Sequence, residues 1–327
     1  VSSDTGRPPK DTHALPTRAR VLALGVVVLL VAIIALLAMR DPGPSRVRPR
    51  AEIGQIRADP VTGPFRGLGV WVDIYDEPTW TDPVGAVATM AEHGVRTLYL
   101  ETSNDHRPGP FVFEEGVGAL LEAAHDRGID VIAWYLPGFV DREEDLSRSV
   151  AAVHLRSPRG DAFDGFALDI ESMDQKDIER RTRNLLWISR ALREEVGDGY
   201  PLGAITPLPD WVEEDAGYWP GFPYGDLAMI YDAILPMTYF TWRVDGPEEV
   251  VSFTARNITV IREQVANPDV PIHVIGGLAR DATSAETRAF VQAARGAHVL
   301  GASYYSLPMI TPGQWVGLER IAAPGSG

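Results

Sequence analysis

From residue 65 to residue 323, apolar and polar positions recur in one unit. A short run rich in β-branched and aromatic residues is followed by a loop and then by apolar residues at helical spacing. The β-rich runs are GLGVWVDI (67–74), RTLYLETS (96–103), DVIAWYLP (130–137), GFALDIES (165–172), PLGAITP (201–207), AILPMTYF (233–240), PIHVIGG (271–277) and HVLGASYYS (298–306). Helical patterns fall at 83–93, 115–127, 143–155, 174–196, 248–266, 283–295 and 312–322, with a shorter one at 224–232. Thr283 or Ser284 can cap the helix near 283, and Gly94 and Gly128 stand where two helices should end. Strand alternating with helix predicts parallel pairing through right-handed crossovers. Eight such units over about 250 residues predict a closed α/β barrel of the (β/α)8 or TIM type. A doubly wound open sheet is the rival, but no glycine fingerprint follows the first strand.

Ahead of this repeat lies a different pattern. Residues 21–39, VLALGVVVLLVAIIALLAM, are apolar without interruption. As a helix they would span about 28 Å, close to the hydrocarbon thickness of a bilayer. They read as a single transmembrane anchor. A cleaved signal peptide is the alternative, but no small-residue cleavage motif follows the run. Residues 1–20 read as a disordered tail, 40–64 as a tether rich in Pro, Arg and Gly, and 65–323 as the barrel. Basic residues flank the span on both sides, so the positive-inside rule is nearly balanced. The expectation is a single-pass cell-membrane protein with its barrel outside the cytoplasm.

The formal net charge of −15 is uneven: residues 1–59 hold nine Lys/Arg against five Asp/Glu, and the remainder is strongly acidic. Phosphate backbones would be repelled, which excludes nucleic acid as a partner. The chain has no cysteine, which excludes disulfides, thiolate metal sites and cysteine nucleophiles. No H-E-x-x-H, EF-hand loop, G-x-S-x-G elbow or P-loop is present. Neither a metal nor a cofactor is expected.

Period-two phase then locates the polar residues. Trp71 and Asp73 share one face of the first run, Tyr99 and Glu101 of the second, and Ala167, Asp169 and Glu171 of the fourth. Met237 and Tyr239 share a face of the sixth, and Ser303 and Tyr305 of the eighth. In such a barrel these faces converge on one mouth, at the C-terminal strand ends. Two acids in a desolvated mouth titrate apart, so one can serve as a general acid near neutral pH. Trp71, Tyr239, Tyr304, Tyr305 and Trp242 are candidates to stack on sugar rings. Trp134 shares a face with Ile132 and is assigned to packing. His106, in the loop after the second run, is a candidate ligand contact.

The fourth run resembles a known motif. Family 18 glycoside hydrolases, the chitinase-like barrels, carry D-G-x-D-x-D-x-E there. This chain reads Asp164, Gly165, Phe166, Ala167, Leu168, Asp169, Ile170, Glu171. Every defined position matches except Ala167, which stands where the family has an inner Asp. The resemblance implies that Glu171 protonates the glycosidic oxygen. It also implies that Asp169 orients the substrate's own 2-acetamido group, an exception to the usual two-carboxylate scheme. PMTYF resembles the family's M-x-Y-D segment, with Tyr239 as the acetamido contact and Phe240 in place of the Asp. In GASYYSL, Tyr305 takes the slot of the family's Trp. The resemblance covers roughly 65–323, as in a divergent, membrane-anchored bacterial member.

Two function classes follow. One is a membrane-anchored glycosidase acting on a cell-envelope or extracellular polysaccharide. Its catalytic residues would be Glu171, Asp169 and Tyr239, with Trp71, Asp73, Tyr99, Glu101, His106, Met237, Trp242 and Tyr305 around the substrate. The other is a carbohydrate-binding pseudoenzyme on the same barrel. A conventional carboxylate pair, Glu101 or Asp73 with Glu171, is an alternative for the chemistry. A structural envelope protein is the third class.

Overall fold

A computed structural model describes residues 61–215 and 217–322. The predicted tail, transmembrane segment and most of the tether lie outside the described residues. Among the described residues no helix is long and apolar enough to cross a membrane.

Eight strands form one parallel sheet: β1 (Gly67–Val72), β2 (Thr97–Asn104), β3 (Asp130–Leu136), β4 (Gly165–Asp169), β5 (Leu202–Thr206), β6 (Ala233–Pro236), β7 (His273–Leu278) and β8 (Gly301–Tyr305). Their order is β6-β5-β4-β3-β2-β1-β8-β7. The sheet closes where β6 meets β7, through bridges between Ile234 and Ile272 and between Met237 and Ile275. This is the (β/α)8 barrel that the alternation of patterns predicts, and the open-sheet rival falls away.

The outer helices are α1 (Glu77–Thr81), α2 (Pro83–Glu92), α3 (Glu114–His125), α4 (Arg142–His154), α5 (Ile178–Val196), α6 (Pro209–Glu214), α7 (Tyr224–Ile230), α8 (Pro247–Val265), α9 (Ser284–Gly296) and α10 (Pro312–Ala322). Local chemistry sets their ends. Thr283 and Glu286 form a capping box on α9. Asp141 caps α4 by accepting the Glu144 N–H at 3.1 Å. Gly94 and Gly128, at φ 72° and 68°, turn the chain out of α2 and α3. Helix α5 begins four residues later than its apolar pattern, because Asp177 accepts the Arg180 N–H and starts it there.

Three strands stop two or more residues short of their predicted ends. β1 ends at Val72 and β4 at Asp169, so Asp73 and Glu171 lie just past them. β6 ends at Pro236, after which the Tyr239 N–H turns back to the Met237 carbonyl at 2.8 Å. All three ends lie at the mouth, where tight turns replace ladder hydrogen bonds.

Two apolar regions result. Outward-facing strand residues such as Leu68, Val70, Leu98, Leu100, Phe166 and Leu168 pack beneath the helices. Inward-facing Trp71, Tyr99, Ile132, Trp134, Ala167, Ile205, Leu235 and Ile275 fill the barrel. Phe65 plugs its lower end, where its carbonyl lies 2.9 Å from His273 Nδ1. Burial pushes the His273 imidazole down to about 4, so near neutral pH the ring is uncharged and donates to Phe65.

Candidate active site at the barrel mouth

The register converts phase into depth. At constant height the shear of an eight-stranded barrel advances the register by about one residue per strand. The level position on the next strand but one therefore lies about two residues past the register partner. Glu101 pairs with Trp134 and Trp134 with Ala167, so Asp169 is level with Glu101. Asp169 pairs with Ile205 and Ile205 with Leu235, which makes Met237 level. Met237 bridges to Ile275, which pairs with Ser303, and Tyr305 completes the layer. Four sequence-predicted residues from alternate strands thus form the top layer of the barrel.

The same rule places Trp71, Trp134, Ile205 and Ile275 immediately below, and Tyr99, Ala167, Leu235 and Ser303 below those. Contacts agree. The Trp71 ring stacks on Tyr99 at 4.2 Å and meets Trp134 edge-on at 5.8 Å, and its Nε1 donates to Ser303 Oγ at 2.8 Å. Two predictions are corrected. Tyr99 is fully buried beneath Trp71, so it supports the floor and does not face a ligand. Tyr304 points outward, where its hydroxyl contacts Thr287 Oγ1. Trp134, assigned to packing, is packed inside the barrel directly under the acids, and its Nε1 has no hydrogen-bond partner in the protein.

The acids differ in environment. Asp169 is 6 % exposed, and its Oδ1 has no partner in the protein. Burial, then the charge of Glu171, then that of Glu101 raise its carboxyl well above the ordinary range. Glu171 is open to solvent at the rim, yet the surrounding walls strip enough water to raise its carboxyl too. Glu101 is 3 % exposed. Its Oε2 accepts the Ile74 N–H at 3.0 Å and its Oε1 accepts Asn104 Nδ2 at 3.1 Å. Burial still pushes it up to about 7. Asp73 accepts the Tyr75 N–H at 2.7 Å on Oδ1 and the Tyr305 hydroxyl on Oδ2.

Around this group stands an aromatic rim. Tyr239 meets Trp242 edge-on at 5.1 Å, and Trp242 lies 6.3 Å from Trp211, which stacks on Tyr218 at 5.5 Å. Tyr218 in turn donates its hydroxyl to the Glu171 carbonyl at 3.2 Å. Sequence reasoning placed Tyr239 and Trp242 here and missed Trp211 and Tyr218. Trp211 lies on α6, a helix of six residues, and Tyr218 in the irregular chain just beyond it, and neither stretch is long enough for periodicity to mark a face. Phe240 is buried against Phe290 and Tyr304 in the outer layer, so that position does not face the mouth.

His106 is exposed on the rim, with Nε2 3.7 Å from Asp105 Oδ1 and 3.6 Å from Asp174 Oδ2. Among the described residues this is the one trio whose ligand atoms lie close enough, within 4.8 Å, to share a cation. The loops after β2 and β4 bring it together, which spacing along the chain could not reveal. Asp164, the first acid of the motif, lies before β4 and away from the mouth: its Oδ2 accepts the Val131 N–H at 2.7 Å.

The fold and the site together define a (β/α)8 barrel with a floor of indoles and an acidic, aromatic-rimmed mouth. Barrels of this shape occur among glycoside hydrolases. A chitinase from Chromobacterium violaceum superposes with a TM-score of 0.56 at 13 % identity, over 80 % of this chain and 100 % of that one. The glycoside hydrolase domain of PgaB from Bordetella bronchiseptica gives 0.54 at 13 %, over 80 % and 100 %. An endo-β-1,4-mannanase from Thermotoga petrophila gives 0.59 at 12 %, over 76 % and 69 %. No protein-family model matches the chain, and no curated protein does. At these identities the likeness is one of fold.

Proposed function

We propose that the chain is a membrane-anchored glycoside hydrolase acting on a cell-envelope or extracellular polysaccharide. Glu171 is the general acid and Asp169 assists, by orienting an acetamido group where the sugar carries one. The carrying observation is the pair itself: Asp169 is buried with a free acceptor, Glu171 stands above it in reach of solvent, and both carboxyls are raised. A raised carboxyl on the accessible residue is what protonation of a leaving oxygen near neutral pH requires. Trp71 and Trp134 close the floor, and Tyr239, Trp242 and Tyr305 offer ring faces and hydroxyls to a pyranose. The apolar run 21–39 is the anchor in this reading, with the barrel outside the cytoplasm.

The test is hydrolysis of N-acetylglucosamine and plain hexose polymers by the full chain, beside Glu171→Gln. Turnover that falls by about 10²–10⁴ in the variant supports Glu171 as the acid. Restriction to acetamido sugars supports the assisted route through Asp169. Saccharide binding without turnover, unchanged in Glu171→Gln, would replace the enzyme with a carbohydrate-binding module on the same barrel.

A further inference from the structure

Ala167 removes a carboxylate from the strand that carries Asp169, and the layers show what its place has become. Position 167 lies beneath the level of Trp71 and Trp134 and is fully buried in their cluster. A charge there would have to be buried under two indoles. The acid level with Asp169 comes from β2 instead: it is Glu101, reached through the register by way of Trp134. Glu101 is nearly inaccessible, and two N–H donors, from Ile74 and Asn104, pin its oxygens. Those donors favour its ionised form, whereas Asp169 Oδ1 is buried with no partner.

We propose that Glu101 is a positioning residue that stands in, from β2, for the acid missing at Ala167: its carboxylate holds the proton on Asp169, and the protonated Asp169 becomes the hydrogen-bond donor offered to the substrate. The role in catalysis rests on the glycosidase reading above, but the coupling of the two carboxyls does not. Other groups face the pair. Asp73, beyond β1, and Glu171, beyond β4, add negative charge, and Arg107, from the loop after β2, opposes it at Glu101. The hydroxyls of Tyr218, Tyr239 and Tyr305 are held neutral chiefly by burial, so they add no competing charge.

The experiment is thermal unfolding of the full chain from pH 4 to 8, for the parent, Glu101→Gln, Asp169→Asn and the double variant. A carboxyl raised by folding binds its proton more tightly in the native state. Its contribution to stability therefore falls as pH rises from about 4, the unfolded value, through the folded pKa. If the Glu101 carboxylate holds the proton on Asp169, Glu101→Gln also removes part of the fall that Asp169 contributes, so the losses in the two single variants sum to more than the loss in the double variant. Losses that add in the double variant overturn the proposal.

Should Glu101→Gln not fold, the order of ionisation is read in the parent. Carboxyl carbon-13 titration should show Asp169 still protonated when Glu101 passes its midpoint. An Asp169 that ionises before Glu101 overturns the proposal. Neither readout needs turnover. A coupled pair in a protein that hydrolyses nothing would defeat the glycosidase reading and leave the coupling standing.

Discussion

His125 Nε2 lies 3.0 Å from Asp164 Oδ2, the same oxygen that takes the Val131 N–H at the entry to β3. The other ring nitrogen, Nδ1, lies 3.0 Å from Asp161 Oδ1. Two carboxylate acceptors require two N–H donors, so the ring is an imidazolium. Partial burial works against its charge, but the bonds to Asp161 and Asp164 outweigh it and raise the pKa. A raised histidine contributes stability that is complete below the unfolded pKa, about 6.5, and is lost as pH rises through the folded value. The Tm of the parent should therefore fall more between pH 6 and pH 9 than that of His125→Asn. Parallel curves would show that the charged ring contributes nothing.

Asp145 supports a second buried network. It is 3 % exposed, accepts the Tyr135 hydroxyl at 2.7 Å on Oδ1, and accepts the Phe139 N–H at 2.9 Å on Oδ2. Asp145→Ala strands both donors, at about 1–3 kcal/mol each. Asp145→Asn keeps one carbonyl acceptor and should lose less. Burial pushes this carboxyl up to about 6, so its contribution falls as pH rises from the unfolded value toward 6 and levels off above it. Urea unfolding of both variants at pH 5 and pH 7 checks the ranking and the sign.

Much of this molecule is legible in the chain, and the boundary is physical. Alternation along each strand reports a face, so Asp169, Glu101, Met237 and Tyr305 could be assigned to the interior. Alternation does not report depth, which depends on shear and closure. Tyr99 therefore looked like a ligand contact and lies under the floor, while Trp134 packs as its phase predicts, at a depth directly under the acids that phase alone does not give. Asp164 matched the motif but precedes the strand, where it is engaged by His125 and the Val131 N–H. β1, β4 and β6 end before Asp73, Glu171 and Tyr239, where side-chain and backbone acceptors in the turns, such as Glu101 for the Ile74 N–H and the Met237 carbonyl for the Tyr239 N–H, replace the ladder. Trp211 joins the rim from the six-residue helix α6 and Tyr218 from the irregular chain after it, both too short for a period to announce them.

The base of the barrel narrows around glycine. A Cβ on Gly69 would come within 2.7 Å of Tyr99 Cε2 and 3.1 Å of His273 Cε1. Those two rings meet edge-on at 5.2 Å and support the stacked Trp71 above. Gly69→Ala should cost about 1–3 kcal/mol by overpacking. Because the strain passes up through Tyr99, it should also disturb near-ultraviolet circular dichroism from Trp71. A Gly69→Ala protein as stable as the parent would show that the base can yield.

The rim is where the length of a bound saccharide should be felt. Trp211 is 40 % exposed and Trp242 54 %, and large aromatic faces left open beside a site suit the C–H faces of sugars beyond the one being cleaved. Trp211 stacks on Tyr218, which bonds the Glu171 carbonyl, so the ring series leads outward from the proposed acid. Trp211→Ala deletes an outer contact and leaves Glu171 and Asp169 untouched. It should raise the KM for a polymeric substrate about 10-fold, equivalent to about 1.4 kcal/mol. Turnover of a single-sugar chromogenic substrate should be nearly unchanged, because such a substrate does not extend to the rim. Uniform binding lost from a remote subsite appears in KM alone, whereas a fall in kcat on both substrates would mean that Trp211 holds the loop that carries the chemistry.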